Sequence, residues 1–307
     1  MNYYFAPMEG LTDSIYRRLH HSFFGGVDRY YMPFLSPTMH RTLSHKESRE
    51  LPLADSVDFV AVPQVLTKSA ADFLWAAQVF CDRGYSEVNL NLGCPSGTVV
   101  AKGKGAGMLR DLDALASFLD EVFEKSPIPI SIKTRLGLEK PEEFLPLLEL
   151  FNRYPIAELT VHSRVRKQFY QGDVHEDMFH HAAQNAKAPL CYNGDLHSAQ
   201  DCKNRAATYP QLNALMLGRS LLGNPGMLAG GTSASALEAF HNALLEEYLA
   251  LFGGSRNAMF RLKENWSYWL PHFEGSEKAA KRLRKTTDLQ EYRNIVAEIF
   301  HSFPYEP

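Results

Sequence analysis

Eight short apolar stretches alternate with helix-forming segments along most of this chain, interrupted after the second by a polar stretch, Ser36 to Asp55, that reads as an elaborated loop, and that alternation limits its fold more than any other feature. They run from Tyr3 to Met8, Asp28 to Phe34, Asp58 to Leu66, Glu87 to Leu92, Pro129 to Thr134, Glu158 to His162, Pro189 to Asn193 and Asn213 to Gly218. Helix signals stand between them: Thr12 or Asp13 as a cap, Ser69 with Asp72, Asp111 ahead of Leu112, Leu115, Leu119 and Val122, Pro141 at a first turn, and Ser198 with Asp201. Strands alternating with helices at these intervals are typical of βα units, which pair in parallel through crossovers. The expected fold is an α/β (β/α)8 TIM barrel.

The pattern stops at Gly223-Asn224-Pro225-Gly226 and Ala229-Gly230-Gly231-Thr232-Ser233. Beyond it, Leu237, Phe240, Leu244, Leu245 and Leu249 repeat at helical spacing, and no strand-like alternation follows. This predicts a barrel over 1–231 and a smaller C-terminal helical domain over 232–307.

With 45% hydrophobic and 22% charged residues and a net charge of −3, the chain is neither disordered nor coated for nucleic acid. The charge is uneven, however, because basic residues outnumber acidic ones from Arg256 to Lys285. Cys81, Cys94, Cys191 and Cys202 form no C-x-x-C pair, and no His/Asp/Glu cluster has ligand spacing, so neither a disulfide framework nor a metal site is expected. The N-terminus lacks a basic n-region, and no apolar run reaches membrane-spanning length. A cytoplasmic protein is expected, without membrane or protein partner, as a monomer.

In a barrel the carboxyl ends of the strands converge on one mouth. Gln64, Asn91, Lys133, His162, Asn193 and Arg219 all fall there. Lys133 follows the apolar Pro129-Ile130-Ser131-Ile132, where an unpaired ammonium is costly, so it calls for an anion in the mouth. A reduced flavin, negative near N1 and the C2 oxygen, would supply one. The loops after strands seven and eight are the usual phosphate site of such barrels and read Asn193-Gly194-Asp195 and Gly218-Arg219-Ser220. The fourth strand ends in Asn91-Leu92-Gly93-Cys94-Pro95, a turn that presents a thiol, and Lys102-Gly103-Lys104-Gly105-Ala106-Gly107 follows. Those glycines lack the G-x-G-x-x-G spacing of a dinucleotide fingerprint, and the expectation for them is flexibility in a loop that closes over a substrate.

The segments Ala6-Pro7-Met8-Glu9-Gly10, Asn89-Leu90-Asn91-Leu92-Gly93-Cys94-Pro95, Lys133-Thr134-Arg135-Leu136-Gly137, His162-Ser163-Arg164, Asn193-Gly194-Asp195 and Gly218-Arg219 together resemble the tRNA-dihydrouridine synthase family, in order from Tyr3 to about Leu228. The resemblance implies an FMN-bound barrel with a tRNA-recruiting helical domain that reduces particular uridines in tRNA to 5,6-dihydrouridine with NADPH, or NADH, as electron donor. It implies that Pro7, Met8, Glu9, Gln64, Lys133, His162, Asn193, Gly194, Asp195, Gly218 and Arg219 hold FMN. Cys94 would give a proton to uracil C5 while hydride reaches C6, with Asn91, Arg135 and Arg164 facing the substrate. A thiol with an ordinary pKa of about 8.5 is protonated at neutral pH and needs no activating base for that role. Gly97 stands where many relatives carry lysine, and Lys102 and Lys104 are candidate substitutes. Arg261, Lys263, Lys278, Lys281, Arg282, Arg284 and Lys285 are the candidate tRNA contacts, four of them at i, i+3, i+4, i+7 spacing. Two other readings are an FMN-barrel oxidoreductase of a small molecule, like a dihydroorotate or enoate reductase, and a non-catalytic RNA-binding relative. The first has no need of the basic helix, and the second would be expected to have lost Cys94 or Lys133.

Overall fold

The computed structural model describes residues 1–307. Its contacts divide the chain into two compact units, Met1–Pro7 with Asp28–Leu217, and Met8–Val27 with Gly218–Pro307. The second unit thus takes in the first helical segment and begins before Thr232, where the sequence pattern alone places the start of the helical domain.

The first unit is built on nine parallel strands: β1 (Asn2–Phe5), β2 (Arg29–Tyr31), β3 (Val60–Val62), β4 (Gln64–Val65), β5 (Val88–Leu92), β6 (Ile130–Arg135), β7 (Leu159–His162), β8 (Leu190–Asn193) and β9 (Ala214–Leu217). Their order is β3-β2-β1-β9-β8-β7-β6-β5-β4. The two end members are one stave broken at Pro63, which has no N–H to give to a ladder. Its carbonyl still accepts from the Asn89 N–H at 2.9 Å, and Val65 bridges to Leu35 just beyond β2. Eight staves therefore close into the expected barrel.

Helices Ala70–Asp82, Leu112–Lys125, Phe144–Phe151, Glu176–Asn185 and Ala199–Thr208 belong to this unit. Ser69 caps the first through the Asp72 N–H, Asp111 caps the second through the Ala114 N–H, and Ser198 and Asp201 cap the last reciprocally. Leu115, Phe118, Leu119 and Val122 form the buried stripe of the second, each contributing about 1.5–3 kcal/mol on burial. The polar stretch after β2 contains a helix, His45–Glu50, opened by a Ser44–Glu47 capping box. Pro141 opens a single 3-10 turn, and the regular helix starts only at Phe144.

Inside the barrel, Tyr4, Ala6, Tyr31, Val62, Cys191, Ala214 and Met216 pack together. Glu158, just before β7, accepts from the Tyr4 hydroxyl at 2.9 Å, the Tyr31 hydroxyl at 3.0 Å and the Asn213 amide at 2.5 Å. Burial raises its pKa, and these donors oppose that rise. The group ties β1 and β2 to the residues that lead into β7 and β9.

In the second unit, helices Ala234–Phe252, Ser255–Trp269, Glu277–Lys285 and Leu289–Ser302 join Ser14–Phe23. Trp266, Trp269, Phe240, Tyr292 and Phe300 are buried in it. The Trp266 Nε1–H donates to the Tyr292 hydroxyl at 3.0 Å, and that oxygen lies 2.8 Å from His241 Nε2. His241 Nδ1 faces Asn242 Oδ1 at 3.0 Å and so carries the hydrogen of a neutral ring, which leaves Nε2 to accept from the Tyr292 hydroxyl.

Candidate active site

Strand periodicity sets the barrel mouth. Asn89 and Asn91 share the inner face of β5, while Ser131, Lys133 and Arg135 share that of β6. A chain of amides crosses the staves: Asn89 Nδ2 donates to Ser131 Oγ at 2.8 Å, Gln64 Nε2 to Asn89 Oδ1 at 2.7 Å, and Asn91 Nδ2 to Gln64 Oε1 at 2.7 Å. Asn91 Oδ1 then accepts the backbone N–H groups of Gly93 at 3.0 Å and Cys94 at 2.9 Å. Asn91 is thus committed at both ends, its oxygen to the turn that carries Cys94 and its nitrogen to Gln64. The sequence-based expectation had it facing the substrate, and Gln64 is enclosed in the same chain.

Cys94 is partly exposed and in no disulfide. The glycine run after it is not a flexible flap, which corrects the sequence-based expectation. Residues Gly105 to Leu109 are buried, and a Cβ on Gly105 would lie 2.9 Å from Cys94 Cβ, on a backbone with φ of +56°. A Cβ on Gly107 would lie 2.8 Å from the Val100 carbonyl. These residues are small so that the backbone can press against the thiol turn. Lys104 Nζ donates to Ser36 Oγ at 3.1 Å, whereas Lys102 is exposed.

Lys133 donates to Asn193 Oδ1 at 2.7 Å, and Asn193 Nδ2 donates to the Met216 carbonyl at 2.8 Å. Desolvation first, then the nearby Arg135 guanidinium, brings the Lys133 pKa down to about 7. Arg135 is buried and spends itself on the carbonyls of Gly93 at 2.9 Å and Val165 at 3.1 Å. Burial lowers its pKa to about 10. Its bond to the Gly93 carbonyl ties β6 to the Cys94 turn. Arg164 is similarly buried, paired with Asp195 and hydrogen-bonded to the Gly172 carbonyl at 3.1 Å. His162 stacks on Tyr170 with centroids 6.1 Å apart. The Tyr192 hydroxyl fills the space a Gly194 side chain would need, so that position has to be glycine. Asn89, Ser131 and Tyr170 are site residues that strand-end reasoning passed over. The first two were legible as inner-face neighbours on adjacent strands; Tyr170 lies in a loop without periodicity.

Pro7 ends the first segment of the barrel unit, while Met8, Glu9, Gly218 and Arg219 belong to the second unit. There the Met8 N–H donates to Thr12 Oγ1 at 3.0 Å, Glu9 and Arg219 are exposed, and Gly218 precedes the short helix Arg219–Gly223. Two of the expected RNA contacts are engaged elsewhere. Arg261 bonds to the Gly10 carbonyl and pairs with Asp13 at 3.4 Å, and Lys263 caps the end of helix Glu277–Lys285 through the carbonyls of Arg284, at 3.3 Å, and Thr286. Lys278, Lys281, Arg284 and Lys285 are exposed, and Arg282 pairs with Glu298 at 2.8 Å.

An α/β barrel whose mouth holds a thiol turn and a lysine of lowered pKa is an enzyme of the (β/α)8 class. Solved structures agree on the fold: morphinone reductase in complex with tetrahydroNAD matches with a TM-score of 0.51 at 12% identity, over 74% of this chain and 85% of that one. The old yellow enzyme homologue from Zymomonas mobilis matches with a TM-score of 0.51 at 12% identity, over 73% and 86%. The chain belongs to the dihydrouridine synthase (Dus) family, whose profile matches residues 4–302. It is similar to tRNA-dihydrouridine synthase B of Proteus vulgaris, 30% identical over 222 residues, 72% of this chain and 67% of that one. The protein of that name from Pasteurella multocida is 28% identical over 224 residues, 72% and 66%, so these matches span about two thirds of the relatives' length. A probable tRNA-dihydrouridine synthase of Rhizobium leguminosarum is 26% identical over 313 residues, 97% of this chain and 93% of that one.

Proposed function

We propose that this protein reduces uridines of tRNA to 5,6-dihydrouridine, with FMN as its bound flavin and NADPH as electron donor, in the cytoplasm. The observation that carries the reading is the mouth itself, a partly exposed thiol and a lysine lacking an anionic partner on adjacent staves, in a chain of the Dus family. The residues fit a flavin. Lys133 has a single amide oxygen for a partner and a depressed pKa, as expected of a cation awaiting negative charge. Lys133, Gln64, His162, Asn193, Gly194 and Asp195 would hold the group, together with Pro7. When bound and reduced, the flavin supplies the hydride for uracil C6.

The protein's own part is to orient and to move a proton. Asn91 and Arg135 fix the Cys94 turn, so the Sγ–H is held in place to protonate C5 and is restored from water at its partly exposed site. The uracil has to leave its stack to reach a barrel mouth, which favours a loop nucleotide over paired RNA. Exposed Lys278, Lys281, Arg284 and Lys285 would attract the tRNA backbone. No helix is long and apolar enough to cross a membrane.

The test is to incubate FMN-loaded protein with NADPH and an unmodified tRNA transcript, then to measure dihydrouridine by mass spectrometry. Dihydrouridine at defined positions is expected. Its absence, with FMN bound and reducible by NADPH, would overturn the reading.

A further inference from the structure

Between β7 and the helix Glu176–Asn185, the chain presents Phe169 in an unusual way. Its φ of 52° and ψ of −98° lie where glycine is at ease and bulky side chains are rare. The residue is nonetheless 42% exposed, beside Tyr170 at 46%. An aromatic side chain that is both strained and solvated contributes little to folding, and strain of this kind gathers at binding sites. The segment is ordered by its own bonds: the Arg166 N–H donates to the Gly137 carbonyl at 2.8 Å, the Lys167 N–H to the Leu138 carbonyl at 3.1 Å, and the Phe169 N–H to the Arg166 carbonyl at 3.1 Å.

Each exposed ring also has a guanidinium over it. Arg166 stands 5.1 Å from the Phe169 centroid, and Arg135 stands 5.4 Å from that of Tyr170. Arg166 in turn donates from Nε to the Pro95 carbonyl at 3.1 Å, one residue past Cys94. The ring is thereby linked through a single side chain to the turn that holds the thiol. Arg166 also borders the segment after that turn, its Nη2 lying 3.9 Å from where a Gly97 Cβ would stand, and Lys102 on that segment is exposed, which suits a polyanion.

We infer that Phe169 is a stacking platform for a nucleobase adjacent to the one delivered to Cys94. This rests on the tRNA reading above. Extracting a uridine leaves its neighbour without a stacking partner, and an aromatic face accepts any base in its place, because every base has a π surface. A guanidinium over the ring adds a cation to the same stack.

The test uses FMN-loaded full-length protein, an unmodified tRNA transcript and filter binding at fixed salt, with Phe169→Gly, Phe169→Leu and Phe169→Trp. Loss of the ring in the glycine and leucine variants should weaken tRNA binding roughly tenfold or more, and tryptophan should retain the affinity. FMN content should be unchanged in all three. The Tm of the glycine variant should equal or exceed that of wild type, since the backbone strain is relieved. Wild-type affinity in the glycine and leucine variants would overturn the inference and leave the tRNA reading standing, as would an equal loss in all three variants. A wild-type protein that neither binds tRNA nor forms dihydrouridine would overturn both.

Discussion

Lys133 enters the barrel mouth with a pKa of about 7 and a single amide oxygen as partner, so the fold bears a cost that a bound anion would remove. Its folded-state pKa lies below that of the unfolded chain, so the unfolded chain holds more protons between about 7 and 10.5 and stability rises with pH across that window. Lys133→Met should therefore raise Tm near about pH 6, with a gain that shrinks toward about pH 10, while weakening flavin binding. Thermal melts at several pH values check this, and a gain that grows with pH would show that the ammonium is already well paired. Cys94→Ala should keep FMN and tRNA binding yet slow single-turnover reoxidation of reduced enzyme by tRNA by about 10²–10⁴-fold. Equal rates would exclude the acid role. Both residues were legible in the sequence because a strand end is a place in the fold as well as in the chain. The engagement of Asn91 and Arg135 was not, since Asn91 Nδ2 depends on Gln64 and Arg135 on Gly93 and Val165, none of them a neighbour in the chain.

At the scale of elements, the segment from Gly103 to Leu109 shows why the rest was hidden. Glycine spacing was read as mobility, but spacing does not say what a missing Cβ would touch. Here it would touch Cys94 and Val100. Gly105→Ala should both strain a backbone at φ +56° and displace the thiol turn. It should lose about 1–3 kcal/mol of stability and most of the turnover, with FMN retained. Denaturant unfolding beside a flavin-content assay checks it, and wild-type turnover would show the loop to be slack. A second element-scale expectation concerns His241, whose pKa burial lowers to about 4 in a neutral pairing with Tyr292. The unfolded chain takes up the proton first, so stability should fall as pH drops from about 6.5 toward 4. His241→Gln should blunt that fall in circular-dichroism melts.

For the whole molecule, the strand count, the strand ends and the helical character of the C-terminal residues could be read from periodicity. The partition of the chain could not, because it follows contacts and groups Met8–Val27 with the residues after Gly218. Nor could sequence separate structural cations from solvated ones. Arg261 and Lys263 brace neighbouring carbonyls, while Lys278, Lys281 and Lys285 stay exposed. Replacing those three exposed lysines by glutamate should weaken tRNA binding and flatten its log–log salt dependence by roughly 0.7–0.9 per lost phosphate contact. Arg261→Ala should instead act on stability. Salt titrations of affinity together with melts separate the two, and an unchanged slope would leave the lysines as an ordinary solvated face.

The amide chain from Ser131 to the Cys94 turn also has a polarity. Backbone N–H groups can only donate, so the Gly93 and Cys94 amides dictate that Asn91 present its oxygen to them and its nitrogen to Gln64. Gln64 and Asn89 are then obliged to follow the same sense, ending on the Ser131 hydroxyl. Three side chains that are individually indifferent to a half-turn of their amides become a single vectorial unit anchored at the reactive loop. Asn91→Asp, nearly identical in shape, would take away the only donor in the second link and set two oxygens against each other. The damage would reach the neighbouring staves as a reversal of orientation, with no change of volume.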